Sequence, residues 1–191
     1  MIRTVTAYRL QLCLILFLCV LLQGCTQTGQ SKPKIKIGLH IDAVLEFVVD
    51  YPSLWAKDRR IVYGGKNGEV RWTENKRQGT LLKVSSLLLK QPAVAADGLP
   101  EQIKEDYAAM TITVQEKVTI PAGEALHIIG QAANTNVELY QISVKNRSYL
   151  ITLATPDDLE LYEDLMNRVI DSFRIIPEQS HAQDEIKDAT N

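Results

Sequence analysis

Three histidines, three cysteines, two adjacent aspartates, a few serines and a glycine-rich pentapeptide are the residues of this 191-residue chain whose types could do chemistry. Histidine is the ordinary proton carrier near neutral pH and a common metal ligand. His40, His127 and His181 lie far apart, and none stands at metal-ligand spacing from a His, Asp or Glu with a supporting second motif. His127 shares a strand face with Ala125 and Ile129, the setting of a satisfied, partly buried imidazole, and is kept as a binding candidate. Asp157-Asp158 has the look of paired carboxylates, but a helix start accounts for both, because the helix dipole favours anions there. Ser85-Ser86 and Ser172 lack a nucleophile elbow. Gly64-Gly65-Lys66-Asn67-Gly68 has the composition of a phosphate cradle, yet it lacks the Walker spacing and precedes a strand. Hairpin geometry explains its glycines. Tyr51-Pro52-Ser53-Leu54-Trp55 sets two aromatic rings beside a turn. Tyr51 and Trp55 are candidates for a binding lip, or for packing at the edge of the core. No catalytic set, cofactor site or metal site is expected.

The cysteines carry a different chemistry. Arg3 and Arg9 are the only charges before an apolar run, Leu10 to Leu22, interrupted by Gln11 and followed by Gln23-Gly24-Cys25. A basic start, a short apolar core and small residues before a cleavage point make a secretory signal. The run is shorter than the roughly 20 apolar residues of a membrane span. Leu22-Gln23-Gly24-Cys25 resembles the lipobox of bacterial lipoproteins, with Gln23 where Ala or Ser is usual. The resemblance implies that residues 1–24 are removed and that Cys25 receives a diacylglycerol on its thiol, often with a fatty acyl group such as palmitate on its amine. Two or three chains anchor stably where one is marginal. Thr26 stands where Asp would resemble an inner-membrane retention signal, so the expected location is the cell envelope, at the outer membrane facing the periplasm if the source is Gram-negative. Cys13 and Cys19 leave with the signal, so the mature domain has no disulfide and depends on its core alone. In such a lipoprotein the glycosylation-type triplet Asn146-Arg147-Ser148 is a chance match.

The elements that must hold these residues lie between two polar stretches. Residues 25–34 read as a flexible tether and residues 178–191 as a loose tail. One domain, 35–177, lies between. The chain carries a net charge of −2, and losing Arg3 and Arg9 leaves −4. No basic block stands out, which argues against nucleic acid as a partner.

Val44 to Tyr51 alternates with period two and predicts a strand closed by Pro52. Ile61 to Tyr63 and Glu69 to Thr73 predict a hairpin around the glycine-rich loop, and Thr80 to Leu89 a further strand. A helix fits Pro100 to Met110. Four strands follow: Ile112 to Thr119, Glu124 to Gln131, Val137 to Lys145 and Tyr149 to Ala154. Thr155-Pro156-Asp157-Asp158 predicts a capped helix start, and Leu159, Tyr162, Met166, Val169, Ile170 and Phe173 recur at helical spacing. Strands joined by short turns imply a mainly antiparallel sheet, hence an α+β fold.

Three stretches carry a resemblance. Phe47-Val48-Val49-Asp50-Tyr51-Pro52-Ser53-Leu54-Trp55, then Ala122-Gly123-Glu124-Ala125, then Tyr149-Leu150-Ile151-Thr152 with Leu161-Tyr162 and Val169-Ile170-Asp171-Ser172-Phe173 are similar to the PsbP-like superfamily. That group includes photosystem II PsbP proteins, a Ran-binding Mog-type protein and many bacterial lipoproteins. The resemblance implies an α/β/α sandwich with a mainly antiparallel central sheet. It carries no activity, since its members do unrelated things. The expected function is a membrane-tethered, non-catalytic binding or assembly module with a protein partner. A small-ligand-binding lipoprotein is the alternative, and an enzyme comes third.

Overall fold

The computed structural model describes residues 31–62, 67–89 and 107–177. The expected signal stretch, Cys25, most of the expected tether, the expected tail with His181, most of the predicted helix at Pro100–Met110 and the tip of the glycine-rich loop lie outside the described residues.

Among the described residues, ten strands form two antiparallel sheets. The large sheet contains β3 (Ala56–Val62), β4 (Asn67–Thr73), β5 (Leu81–Leu88), β6 (Thr111–Ile120), β7 (Gly123–Ala132), β8 (Thr135–Val144) and β9 (Arg147–Thr155). Its order is β3-β4-β5-β9-β8-β7-β6. It is two meanders, β3 to β5 and β6 to β9, joined edge to edge where β5 pairs with β9. The small sheet has the order β1-β2-β10, from β1 (Ile37–Asp42), β2 (Phe47–Pro52) and β10 (Arg174–Ile175). One helix, α1 (Glu163–Ser172), packs beside β2.

Burial follows the side-chain alternation of each strand. In β4 and β5, Val70, Trp72, Leu82 and Val84 are fully buried. β9 is central and is covered on both faces, which explains its unbroken Tyr149-Leu150-Ile151 run. Tyr149, Ile151 and Leu153 join the main core, together with Phe47 and Val49 of β2 and Leu165, Met166, Val169 and Phe173 of the α1 segment. Each such side chain contributes about 1.5–3 kcal/mol on burial. Met110, Leu126, Ile128, Val137, Leu139 and Leu150 form a second core, with Tyr107 packed on it.

Several boundaries differ from the sequence expectations. β1 and β10 are additional strands. The predicted strand at Val44 starts at Phe47, because the Asp42 carboxylate accepts the Val44 and Leu45 amides at 3.1 and 3.0 Å and holds a turn there. Leu45 is nevertheless fully buried. The closing helix begins at Glu163, after a single 3-10 turn, Leu159–Tyr162, and neither start has a side-chain cap. Thr155 instead ends β9, its hydroxyl 2.9 Å from that of Thr80 and accepting the Asp157 amide at 3.2 Å. The Asp157 carboxylate is held by Arg77 at 3.1 Å. The expected cap residues are spent on tertiary ties.

Candidate functional site

A cavity of about 430 Å³ opens at one end of the large sheet. Here β5 ends, β8 turns into β9 through Lys145 and Asn146, and the chain leaves β10. The β8–β9 turn is tied to the end of β5 by the Leu89 amide, which donates to the Asn146 carbonyl at 2.6 Å. Arg147 is buried in the floor. Its Nε lies 3.2 Å from Glu46 Oε2, and its Nη1 donates to Ser86 Oγ at 2.7 Å. A buried guanidinium requires such pairing, since an unpaired charge in the interior is costly. The Tyr149 hydroxyl donates to the Glu46 carbonyl at 3.3 Å, and burial pushes this phenol up to about 12. It is therefore neutral. Glu46 and Lys145 both hold left-handed backbone, with φ of 60° and 56°. The opposite wall is apolar, built from Leu88, Ala122, Val144, Ile175, Ile176 and Pro177.

A second constellation sits on the β6–β8 half of the same sheet. His127 lies between two carboxylates, its Nδ1 3.1 Å from Glu116 Oε1 and its Nε2 3.1 Å from Glu138 Oε1. Tyr140 stacks on the imidazole at 4.3 Å between ring centres and donates its hydroxyl to Glu138 at 3.2 Å. A carboxylate only accepts, so the two contacts together favour the form in which both ring nitrogens carry protons, the imidazolium. The Glu138 hydrogen bond is the largest cause, with burial opposing and Glu116 adding, and the pKa is raised. Such a group, held charged by two partners, is poorly placed to act as a base. Among the described residues, no group of three or more His, Cys, Asp or Glu side chains is arranged to hold a metal ion.

No family model matches the chain, and no curated protein does. Solved structures do. The solution structure of a cyanobacterial PsbP (CyanoP) from Synechocystis sp. PCC 6803 superposes with a TM-score of 0.56 at 14% identity, covering 80% of this chain and 97% of that one. The fold is PsbP-like. A crystal structure from Bacteroides thetaiotaomicron matches with a TM-score of 0.42 at 11% identity, over 74% of this chain and 49% of the other. Its lower score adds no weight to the PsbP-like assignment.

The remaining sequence candidates can be placed on the PsbP-like frame. Tyr51 stacks on Trp72 at 5.3 Å and is half-buried. Trp55 is buried, with its ring edge-on to Tyr162 at 6.2 Å. The two residues of the aromatic corner therefore pack inward, and the exposed apolar residue of the corner is Leu54, at 66%. His40 is buried edge-on to Phe47, Tyr51 and Trp72. Its Nδ1 lies 3.2 Å from the Lys57 ammonium, which can only donate, so Nε2 carries the proton. Burial first, then Lys57, lowers its pKa. Ser86 reaches Arg147, and Ser172 accepts the Asp50 amide at 2.8 Å, so that the end of α1 continues the β2 edge that β10 leaves open. The structure brings none of His40, His127 and Asp157 together. Sequence reasoning passed over Glu46, Arg147, Glu116 and Glu138. Only the last two left a signal, each standing eleven residues from His127.

Proposed function

We propose that this chain is a lipoprotein, anchored to a membrane of the cell envelope by lipid on Cys25, whose PsbP-like domain serves as a non-catalytic binding or assembly module for a protein partner. One observation carries the reading: the side chains best suited to chemistry are tied into the fold itself. His127 is clasped by Glu116 and Glu138, Asp42 by Arg59, and Asp157 by Arg77. The lipobox-like Leu22-Gln23-Gly24-Cys25 sequence supports the anchor, and dual or triple acylation would suffice to hold it. We also read the second core as the floor of another helical layer, completing an α/β/α sandwich. The apolar face of Leu126, Ile128 and Leu139 supports this.

The test is a crosslinking pull-down from membranes of the native organism, with a Cys25→Ser strain as the control. A reproducible partner, lost when Cys25→Ser leaves the protein uncleaved or mislocalised, supports the tethered module. A Cys25→Ser protein of unchanged mature mass and membrane fractionation removes the anchor from the proposal. Efficient turnover of a small substrate by the purified protein would remove the non-catalytic reading. A second reading, a ligand-binding lipoprotein, is favoured by the cavity beside Arg147, whose size lies within the range of small-molecule sites.

A further inference from the structure

The cavity at the β8–β9 turn has two chemically different halves. On one side stand Lys145, exposed at the rim, and Arg147, buried in the floor, against the single carboxylate of Glu46. The balance of full charges is one positive, and two of the three groups lie within a recess where water is partly excluded and fields act over longer range. The facing side offers aliphatic carbon from Val144, Ile175 and Ile176, all partly exposed to the space between. A purely apolar ligand would make no use of the Lys145 charge at the rim, and a small inorganic anion would leave the aliphatic wall wet.

We propose, deepening the ligand-binding reading, that this cavity takes a small amphipathic acid, its anionic head at Lys145 and its aliphatic body along Val144, Ile175 and Ile176. The Glu46 carboxylate sets a limit on the class: it repels a second negative charge on the ligand and favours monoanions over dianions. The binding does not depend on the anchor, so it can be tested on the protein in solution.

The experiment is an amide NMR titration of the full chain with octanoate, with octanol and octylammonium as probes of equal chain length. Octanoate is expected to give saturable shifts centred on Lys145, Ile175 and Ile176, with affinity at least tenfold above that of either control. Lys145→Glu reverses a solvent-exposed charge without touching the core, and is expected to weaken octanoate at least tenfold. Ala122→Trp, which fills the apolar side, should abolish the shifts while the rest of the spectrum stays native. If octanol or octylammonium binds there as well as octanoate, or if Lys145→Glu changes nothing, the acid class is overturned and the cavity remains a site for another ligand. If no probe shifts these amides, or if shifts scatter over the surface, the ligand-binding reading falls together with the proposal.

Discussion

His127 and Glu116 stand directly opposite one another in the β6–β7 ladder, and the imidazole Nδ1 meets the carboxylate at 3.1 Å. Glu138 closes the other side of the ring from β8. The strands thus hold a charged histidine between two acids at little cost in side-chain freedom, because the ladder already fixes their spacing.

This arrangement fixes the sign of a pH dependence. The folded pKa of His127 is raised, chiefly by the Glu138 hydrogen bond. Below about pH 6.5 the ring is protonated in both states and the ion pairs contribute fully. As pH climbs through the raised folded value, that contribution is lost. Urea denaturation of the wild type and of His127→Gln, from pH 5.5 to 9, should show a gap of about 1–2 kcal/mol at the acid end that closes at the alkaline end. The lower part of this range applies if exposure of the Glu116 side chain, 56%, screens its pair. A gap that does not change with pH would mean that folding leaves the His127 pKa unshifted.

Asp42 predicts the opposite slope. Burial alone would raise its carboxyl, but the Arg59 guanidinium and the Leu45 and Val44 amides outweigh burial and hold it below the usual carboxylate range. Its stabilisation is complete above the unfolded value of about 3.9 and is lost as pH falls through the folded value. Asp42→Asn removes the charge that Arg59 meets at 2.6 Å and should cost about 2–3 kcal/mol at pH 7. The penalty should shrink in thermal scans below pH 3. An unchanged penalty at low pH would show that the turn geometry, not the charge, sets the cost.

How much of this could be read from sequence depended on whether each strand obeys apolar-in, polar-out alternation. β7, β8 and β9 do, or are buried on both faces, and their predicted spans lie within three residues of the observed ones. β1 inverts the rule. It buries His40 and Asp42 while Leu39 and Ile41 are each 61% exposed, so periodicity alone gives no core face. The α1 start was misplaced because Thr155-Pro156-Asp157 satisfies the local chemistry of a cap, whereas Thr80 and Arg77, distant in sequence, claim those groups. The Arg147–Glu46 pair joins opposite ends of the domain, and no local pattern encodes it. The His127 cluster was more accessible. Equal hairpin arms about Pro121-Ala122 set Glu116 opposite His127 by arithmetic.

Gly130 tests the β6–β7 register. A Cβ there would lie 2.6 Å from the Thr111 carbonyl and 3.0 Å from Met110 Cγ. Backbone cannot swing aside as a flexible side chain can, and the ladder already shifts register between Ile112 and Val114. Gly130→Ala should cost about 2–3 kcal/mol by overpacking and should speed amide exchange along β6. Gly38→Ala, whose nearest neighbours are side-chain atoms at 3.1 Å, should cost less. Equal costs at the two sites would mean that β6 can move away from β7 freely.

The aromatic corner separates packing from recognition. Trp55 is buried against Tyr162, and its amide closes the turn on the Pro52 carbonyl at 3.0 Å. Trp55→Ala should therefore lower stability by about 3 kcal/mol, while Leu54→Ala, one residue away and exposed, should change it by less than about 0.5 kcal/mol. Partner recovery in the crosslinking experiment supplies the second axis. If the corner is only packing, Leu54→Ala leaves recovery unchanged, and Trp55→Ala reduces it only in proportion to the folded fraction. If the corner is a binding lip, Leu54→Ala reduces recovery at unaltered stability. Trp55→Phe retains much of the buried ring, so its recovery should follow that of the wild type if burial, not contact with a partner, is what Trp55 provides.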